Sequence, residues 1–308
     1  MEALAILSGL GQVEAIPLNQ TSILKHLSDV DVLIVRLGIK VNAEVIDHAP
    51  HLKYIVTATT GTDHIDVGYA EKKKIEIICL KGENDFLRTV PSTAEHTWTL
   101  LLSLIRHLPD SFNHVREGGW DRNQFRGHNL KGMNLGIVGL GRVGSQVAGF
   151  GQAFGCQVGA FDPFRKNWID QVEKFERLED LLAWSTVLTI HIPYDESTSE
   201  LFSKSMLSHS KRGMWIINTS RAGVWDEQAV TDMLLDSQLA GVATDVVSNE
   251  NDAVRRKLNP LIEYAKNHTN IIVTPHIGGA TFESMKMTEI FIAEKLRKEI
   301  ERGLNVRN

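Results

Sequence analysis

The feature that most constrains the fold is a glycine-rich hexapeptide, Gly139-Leu140-Gly141-Arg142-Val143-Gly144, which follows an apolar run and opens a helical pattern. A strand that leads into a helix through G-x-G-x-x-G is typical of the first βα turn of a dinucleotide-binding domain. The first glycine allows the tight bend, the second lets the backbone approach a pyrophosphate, and the third lets the helix pack against the strand. Since a helix N-terminus offers free N–H groups to an anion, we predict cofactor contacts at Gly139, Gly141, Arg142, Val143 and Gly144.

An acidic residue stands where such a domain needs one to hold the adenosine ribose. Asp162 lies about 20 residues beyond the turn and directly follows the apolar run at residues 157–161. A carboxylate there accepts hydrogen bonds from the ribose hydroxyls and repels a 2′-phosphate, so the sequence favours NAD over NADP. Arg165 would weaken this preference, because its charge attracts a phosphate.

Short apolar runs alternate with helical patterns along the 308 residues, which predicts α/β folding with parallel sheets and crossover helices. The predicted strands are residues 13–16, 32–35, 54–58, 76–80, 135–139, 157–161, 187–191, 214–218, 241–246 and 271–274. The predicted helices are residues 22–27, 43–48, 92–108, 142–154, 226–237 and the segment from residue 281 onward. The last six strands fit one doubly wound (Rossmann) domain, and the length predicts a second domain.

The ends of three successive predicted strands in that domain carry an arginine, a glutamate and a histidine, namely Arg221, Glu250 and His276. Ligands bind outside the carboxyl ends of the strands in a doubly wound sheet. We therefore expect these three side chains to converge at one edge, across from the phosphate-binding turn.

These side chains form a complete set for reducing a 2-keto acid. Arg221 can hold the substrate carboxylate and polarise the carbonyl group. His276 can exchange a proton with the carbonyl oxygen while a nicotinamide exchanges the hydride. Glu250 can orient His276 and stabilise its charged form. Asp245, just inside the end of the predicted strand at residues 241–246, can bind the carboxamide that positions the nicotinamide ring.

Three passages, residues 218–221, 239–246 and 274–281, resemble the D-isomer-specific 2-hydroxyacid dehydrogenase family, and the resemblance extends over nearly the whole chain. It implies an NAD-binding Rossmann domain in which Arg221, Glu250 and His276 are catalytic. It also implies cofactor contacts at Thr97, His191, Pro193, Thr219 and Asp245.

The first third of the chain resembles the family's smaller, flavodoxin-like α/β substrate domain. Residues 59–66 resemble the loop whose backbone N–H groups bind the substrate carboxylate, and we expect this contact at Thr60 and Gly61. The family fold places the C-terminal helix against this domain. We therefore expect a discontinuous substrate-binding domain, residues 1–98 and 277–308, and an NAD-binding domain, residues 99–276.

Within the family, residues 33–36 and 259–261 look most like the phosphoglycerate dehydrogenases. Arg36 would then reach a substrate phosphate or carboxylate. However, residues 57–59 are Thr-Ala-Thr where some of those enzymes carry a second arginine, and a doubly charged phosphate needs more than one cation. Glyoxylate or hydroxypyruvate reductase activity therefore stays open beside activity on a phosphorylated acid.

The N-terminus departs from the family pattern. Members usually begin with an apolar strand, whereas residues 1–8 of this chain resemble the first helix and residues 13–16 the second strand. We expect the substrate domain to lack an edge strand or to replace it with another segment. Serine feedback through a C-terminal regulatory domain is not expected.

Two other functions use the same fold. A transcriptional corepressor keeps NAD only as a ligand, but no interaction tails flank the predicted domains. A formate-oxidising member would carry glutamine in place of Glu250. We therefore predict an enzyme, an NAD-dependent D-2-hydroxyacid dehydrogenase.

Composition restricts the partners of the protein. The formal charge of −5 argues against a nucleic-acid binder, and no run approaches the roughly 18 apolar residues of a membrane span. The two cysteines, Cys79 and Cys156, lie in or beside apolar runs, which suits a reducing compartment. We expect a cytoplasmic protein that binds a small acid and neither metal, nucleic acid nor membrane. The resemblance implies a homodimer with residues 106–130 as an arm.

Overall fold

The computed structural model describes residues 2–305, with side chains through residue 302, and the chain divides into two compact units. The first unit combines Met1–Val90 with Thr281–Asn308, and the second is Pro91–Ala280. Residue 1 and residues 306–308 of the predicted substrate domain lie outside the described residues. The junctions fall at residues 90/91 and 280/281, where the sequence predicted 98/99 and 276/277.

Side-chain packing explains the position of both junctions. The helix Ser92–Ile105 belongs whole to the second unit, because Leu101 and Ile105 are buried in the core of that unit. Ile277 and Gly278 belong to it as well, since their backbone N–H groups donate to the carboxylate of Asp245.

The first unit is built on a three-stranded parallel sheet. Its strands, in their order across the sheet, are β1 (Val32–Val35), β2 (Tyr54–Thr57) and β3 (Glu76–Ile78). Its helices are α1 (Glu2–Ser8), α2 (Ala43–Asp47), α3 (Val67–Lys72), α4 (Asn84–Leu87) and Phe282–Asn305, here called the C-terminal helix. A single 3-10 turn lies at Ile23–His26.

Both faces of this sheet are covered. Ile55 and Val56 in β2 are completely buried in two different clusters, because successive side chains of a strand point to opposite faces. The cluster around Val56 includes Ile292 and Leu296 of the C-terminal helix. Helix α1 packs along the same helix. The sequence prediction of an N-terminal helix is thus confirmed.

The second unit contains seven strands and eight α-helices among its residues, all of which the structure describes. The strands are β4 (Asn134–Val138), β5 (Gln157–Phe161), β6 (Val172–Lys174), β7 (Val187–Ile190), β8 (Met214–Asn218), β9 (Leu239–Thr244) and β10 (Ile271–Val273). The helices are α5 (Ser92–Ile105), α6 (Leu108–Arg116), α7 (Arg142–Ala153), α8 (Leu178–Trp184), α9 (Lys204–Leu207), α10 (Glu227–Leu235), α11 (Ala253–Lys257) and α12 (Pro260–Ala265). Short 3-10 turns lie at Arg122–Phe125 and Ala222–Val224.

All neighbouring strands in this unit are parallel, in the order β6-β5-β4-β7-β8-β9-β10. The order reverses between β4 and β7, so the sheet is doubly wound and the predicted fold class is confirmed. Adjacent residues such as Ile216 and Ile217 enter separate buried clusters, because helices cover both faces. The polar side chains of interest follow the carboxyl ends of the strands.

The prediction of six strands in this unit was one strand short. The missing strand is β6, which has only three residues, and only Val172 among them is buried. Such a short edge strand carries neither a run of apolar residues nor a clear alternation.

The predicted strand at residues 13–16 is wrong. Residues 12–19 have no regular structure, and the side chains of Val13 and Ile16 are exposed. A strand needs a neighbour to pair its backbone groups, and no described strand lies before β1 in the chain. Pro17, which has no N–H to donate, also ends the apolar run.

Two helix predictions were too long. The helix predicted for residues 92–108 ends at Ile105, because His107 adopts a left-handed φ of 51° before α6 begins. The helix predicted for residues 22–27 is only the 3-10 turn. No helix among residues 2–305 has both the length and the apolarity needed to cross a membrane.

Candidate functional site

The glycine turn joins β4 to α7 in the conformation that the motif requires. Gly139 has a φ of 86°, and a Cβ there would lie 2.7 Å from the carbonyl oxygen of His191. A Cβ at Gly144 would overlap the carbonyl oxygen of Gly139. At Gly141, in contrast, a Cβ would meet no described atom of the chain within 4 Å. The fold itself needs the first and third glycines, and the open space at Gly141 fits a ligand close to the backbone.

Asp162 is fixed to this turn by backbone hydrogen bonds. Its Oδ2 accepts the N–H of Leu140 at 2.9 Å, and its Oδ1 accepts those of Phe164 and Arg165 at 3.0 and 3.1 Å. The guanidinium of Arg165 folds back to donate to the carbonyl of Leu140 and, at 3.1 Å, to the hydroxyl of Ser145. The carboxylate thus stands beside the helix N-terminus with acceptor capacity left on Oδ2.

His191, directly after β7, is a neutral imidazole beside the turn. Burial, together with the nearby Arg142 guanidinium, lowers its pKa to about 3. Its Nε2 is buried and makes no hydrogen bond with the described residues. Burial lowers the pKa of Arg142 as well, and Val143 beside it is half-buried in the first turn of α7. Pro193 lies two residues further on and is exposed.

His276 and Glu250 are in direct contact. The imidazole Nδ1 lies 2.8 Å from Oε1 and 2.9 Å from Oε2 of the carboxylate, and 24% and 29% of the two side chains are exposed. His276 adopts a φ of 55°, an uncommon conformation for a residue with a Cβ. With Nδ1 directed at the carboxylate, Nε2 remains for a ligand.

The loop that carries Glu250 is held by residues that the sequence analysis missed. The buried carboxylate of Glu227 accepts the N–H of Ser248 at 2.8 Å and Asn259 Nδ2 at 2.6 Å. Arg256 donates to the carbonyl of Glu250. Burial raises the pKa of Glu227 despite these hydrogen bonds. The one available signal was the Asn-Pro pair at residue 259, which is typical of a helix start.

Asp245 holds the turn after β10. Its buried carboxylate accepts Thr274 Oγ1 at 2.6 Å and the N–H groups of Ile277 and Gly278 at 2.9 and 2.7 Å, and it lies 3.2 Å from His96 Nε2. Burial alone would raise the pKa of this carboxyl, but the hydrogen bonds outweigh it and lower the pKa. Sequence analysis assigned no role to His96, because its contact with Asp245 exists only once α5 packs beside β9.

Arg221 follows β8, next to the strand that carries Asp245. Asn218 shapes this segment, because its Nδ2 donates to the carbonyl of Arg221 at 3.0 Å and its Oδ1 accepts the N–H of Ser220 at 2.9 Å. The guanidinium donates to the carbonyl of Ser220 at 2.7 Å and is half-buried. The three predicted catalytic residues therefore follow β8, β9 and β10, three neighbouring strands.

Thr97 and Thr219 form a buried pair. Their hydroxyl oxygens lie 2.7 Å apart, and Thr97 also donates to the carbonyl of Thr93 at 2.8 Å. Because Thr97 is completely buried, any effect of this residue on a cofactor would pass through Thr219.

The predicted carboxylate-binding loop follows β2 in the first unit. Thr59 Oγ1 donates to the carbonyl of Gly61 at 2.7 Å and lies 3.0 Å from Thr57 Oγ1, which lies 3.3 Å from His64 Nε2. Thr57 and His64 are buried, so this network holds the loop on its buried side. Thr60 and Gly61 are half-buried.

Arg36 follows β1 in the same unit. Its Nη2 lies 2.7 Å from Oε1 of Glu289 in the C-terminal helix. Sequence analysis did not predict this partner, which is 253 residues away along the chain. Within the described residues, no cluster of three histidine, cysteine or acidic side chains is arranged to hold a metal ion.

Known proteins are similar to this chain over most of its length. Residues 98–278 match the family model described as "D-isomer specific 2-hydroxyacid dehydrogenase, NAD binding domain". The chain is 33% identical over 285 residues to a hydroxypyruvate reductase of Thermotoga maritima, covering 92% of this chain and 89% of the relative. It is also 33% identical over 301 residues to a D-3-phosphoglycerate dehydrogenase of Methanocaldococcus jannaschii, covering 96% of this chain and 55% of the relative.

The chain therefore spans about half the length of the phosphoglycerate dehydrogenases that it matches and nearly all of the hydroxypyruvate reductase. Among solved structures, it is similar to a D-lactate dehydrogenase from Aquifex aeolicus complexed with NAD and lactic acid. The TM-score is 0.80 at 26% identity, and the match covers 98% of this chain and 92% of that chain.

His191 is expected to make the protein less stable in acid. Its pKa of about 3 in the folded chain lies below the ordinary value of 6.5, so between these pH values only the unfolded chain binds a proton. The free energy of unfolding should fall by about 1–2 kcal/mol from pH 6.5 to pH 5 through this group, and change by less than about 0.5 kcal/mol above pH 6.5.

Urea unfolding at several pH values tests this effect. His191→Gln should flatten the acid dependence whatever its stability at neutral pH, whereas the exposed control His51→Gln should keep the wild-type slope. An unchanged slope in His191→Gln would contradict a neutral buried imidazole.

Proposed function

Because this chain belongs to the D-isomer specific 2-hydroxyacid dehydrogenase family, we propose that its Arg221, Glu250 and His276 interconvert a small D-2-hydroxy acid and its 2-keto acid. The chain is an NAD-dependent oxidoreductase of this class. The observation that carries the proposed roles is the contact between His276 and Glu250 beyond the carboxyl ends of β9 and β10.

The glycine turn fits the pyrophosphate of NAD. The space at Gly141 suits a phosphate against the backbone, and Oδ2 of Asp162 can accept a ribose hydroxyl besides the N–H that it already binds. When bound, NAD supplies or accepts the hydride at C2 of the acid. The further cofactor contacts that we propose are at Gly139, Arg142, Val143, Gly144, His191, Pro193 and Thr219.

His276 moves the proton that accompanies the hydride. Because Glu250 holds Nδ1–H, Nε2 gives a proton to the carbonyl oxygen during reduction and takes it from the hydroxyl during oxidation. The adjacent carboxylate stabilises the imidazolium and fixes the orientation of the ring. Asp245 holds the turn that carries His276, and its contact with the carboxamide stays a prediction.

Arg221, in the second unit, is the residue that we propose to bind the acid. The planar guanidinium can bond the carboxylate and polarise the carbonyl oxygen. In the first unit, the backbone N–H groups of Thr60 and Gly61 stay the predicted donors to a substrate carboxylate. The names of the relatives point to hydroxypyruvate, 3-phosphoglycerate and lactate, so the substituent on carbon 3 decides the substrate.

We also propose a cytoplasmic location and no nucleic-acid partner. Both cysteines are free thiols, as expected in a reducing compartment. The net charge of −5 disfavours phosphate backbones.

Loss of the imidazole should stop catalysis without emptying the cofactor site. His276→Ala is expected to lower kcat about 10²- to 10⁴-fold for a 2-keto acid, the usual size of general acid–base catalysis. The affinity for NADH, measured by fluorescence titration, should stay near that of the wild type. The exposed control His51→Ala should leave both values unchanged. A variant that loses NADH binding instead of kcat would show that His276 has another role.

Loss of the carboxylate at residue 162 should weaken NADH binding and relax cofactor choice. Asp162→Ala is expected to raise the KM for NADH about tenfold and to lower the preference for NADH over NADPH, because the repulsion of a 2′-phosphate is lost. Steady-state kinetics with both cofactors measure this ratio, and exposed Asp170→Ala is the control. An unaltered ratio would remove Asp162 from the ribose site.

We further propose that the protein is a homodimer whose arm includes α6. Leu108, Phe112 and Val115 lie on one face of this helix with 55%, 62% and 51% exposure, and Trp120 beyond it is 89% exposed. A cluster of exposed apolar side chains this large is typical of a protein interface. A second copy of the chain is the partner that the family resemblance implies.

Light scattering coupled to gel filtration should therefore give twice the mass of one chain. Phe112→Ser combined with Val115→Ser should shift the protein toward the mass of one chain, because the arm loses its apolar contacts. Leu235→Ser, which changes an exposed leucine on α10, is the control and should leave the mass unaltered. A wild-type protein that has the mass of one chain at every concentration would refute the dimer.

A further inference from the structure

Arg36, the residue expected to reach an anionic substituent of the substrate, already has an acidic partner. Its Nη2 lies 2.7 Å from Oε1 of Glu289, and both side chains are nearly half exposed. Glu289 belongs to the C-terminal helix, so the last segment of the first unit places a negative charge beside the end of β1. The exposure leaves both groups accessible to a small molecule in solution.

The neighbouring strand end adds no cation to this place. Val35 pairs with Thr57, so the chain leaves β1 and β2 side by side, and Arg36 lies next to the loop expected to bind the substrate carboxylate. That loop is shaped by the uncharged hydroxyls of Thr57 and Thr59. The guanidinium that follows β1 thus has the carboxylate of Glu289 beside it and no cation from residues 57–59.

Two other lysines of the first unit, one on the C-terminal helix and one after β3, are engaged or distant. Lys295 of the C-terminal helix is bound to Glu83 at 2.6 Å and donates to the carbonyl of Cys79 at 3.0 Å. Lys81 follows β3, which is separated from β1 by β2, and two strand spacings amount to roughly 9–10 Å. Neither is placed to be the second cation that a phosphate dianion needs beside Arg36.

We propose that Glu289 is a specificity-determining residue that makes the first unit select 2-hydroxy and 2-keto acids with an uncharged substituent on carbon 3. This inference rests on the proposed function of the site. A phosphate on carbon 3 would have to displace Glu289 from Arg36 and then lie next to a carboxylate of like charge. A hydrogen or hydroxyl group at that carbon meets no such repulsion.

Two substrates that differ only in the phosphate test this assignment. The wild type should reduce hydroxypyruvate with a higher kcat/KM than 3-phosphohydroxypyruvate, with NADH as cofactor. Glu289→Gln, which keeps the size of the side chain but removes its charge, should raise the phosphorylated-to-unphosphorylated ratio about tenfold. Adding Arg36→Gln should abolish this gain, because the free guanidinium is what attracts the phosphate.

Glu294→Gln provides the matched control. Glu294 lies on the same helix and pairs with Arg297 of that helix, so its change should leave the ratio as in the wild type. High salt should reduce the gain in Glu289→Gln, since the attraction is between exposed charges.

The outcomes separate this inference from the function on which it rests. An unchanged ratio in Glu289→Gln, or a wild type that prefers the phosphorylated acid, would overturn the role of Glu289 while leaving the dehydrogenase intact. A wild type that reduces no 2-keto acid with NADH would overturn the proposed substrate chemistry itself. Equal thermal unfolding midpoints for the wild type and the exposed variants exclude misfolding as the cause of any change.

Discussion

The buried carboxylate of Asp245 is the constraint on which the arrangement of the proposed catalytic side chains depends. A buried charge is tolerated only when hydrogen bonds replace water. Four donors surround this one, three from the turn after β10 and one from α5. These bonds tie two separate segments, α5 and the turn after β10, to the end of β9. The backbone of His276 is part of the same arrangement, because its N–H donates to the carbonyl of Asp245 at 3.0 Å.

The left-handed backbone of His276 follows from this tie. A φ of 55° costs energy for a residue with a Cβ, and such conformations persist only where the surroundings determine them. Here the conformation turns the chain so that the imidazole meets Glu250. The loop with Glu250 is itself fixed by the buried Glu227 and by Asn259. The buried carboxylates of Asp245 and Glu227 therefore position His276 and Glu250, the partly exposed pair that we propose to be catalytic.

At the proposed cofactor turn of the second unit, the constraint is instead how closely backbone atoms approach one another. Gly139 and Gly144 are required because a Cβ would collide with carbonyl oxygens of the chain, whereas Gly141 faces open space. His191 stays neutral there because it is buried and lies near Arg142. In the first unit the pairing of Arg36 with Glu289 leaves little net charge beside β1.

Much of this was determined by the sequence alone. The order of apolar runs predicted nearly every strand. The glycine hexapeptide and the three strand-end residues predicted a cofactor turn and a set of catalytic groups, because their spacing and chemistry are local properties of the chain. Sequence analysis did not predict β6, and it wrongly predicted a strand at residues 13–16. Whether such a short edge segment forms a strand depends on whether a neighbouring strand is present to pair its backbone.

Only the tertiary structure decided which side chains hold the others in place. His96, Glu227 and Glu289 have no local signature, and each acts on a partner that is far away in sequence. The physical reason is that a hydrogen bond or an ion pair requires a distance of about 3 Å. Folding brings these segments that close together, and their positions in the sequence do not reveal which of them will meet.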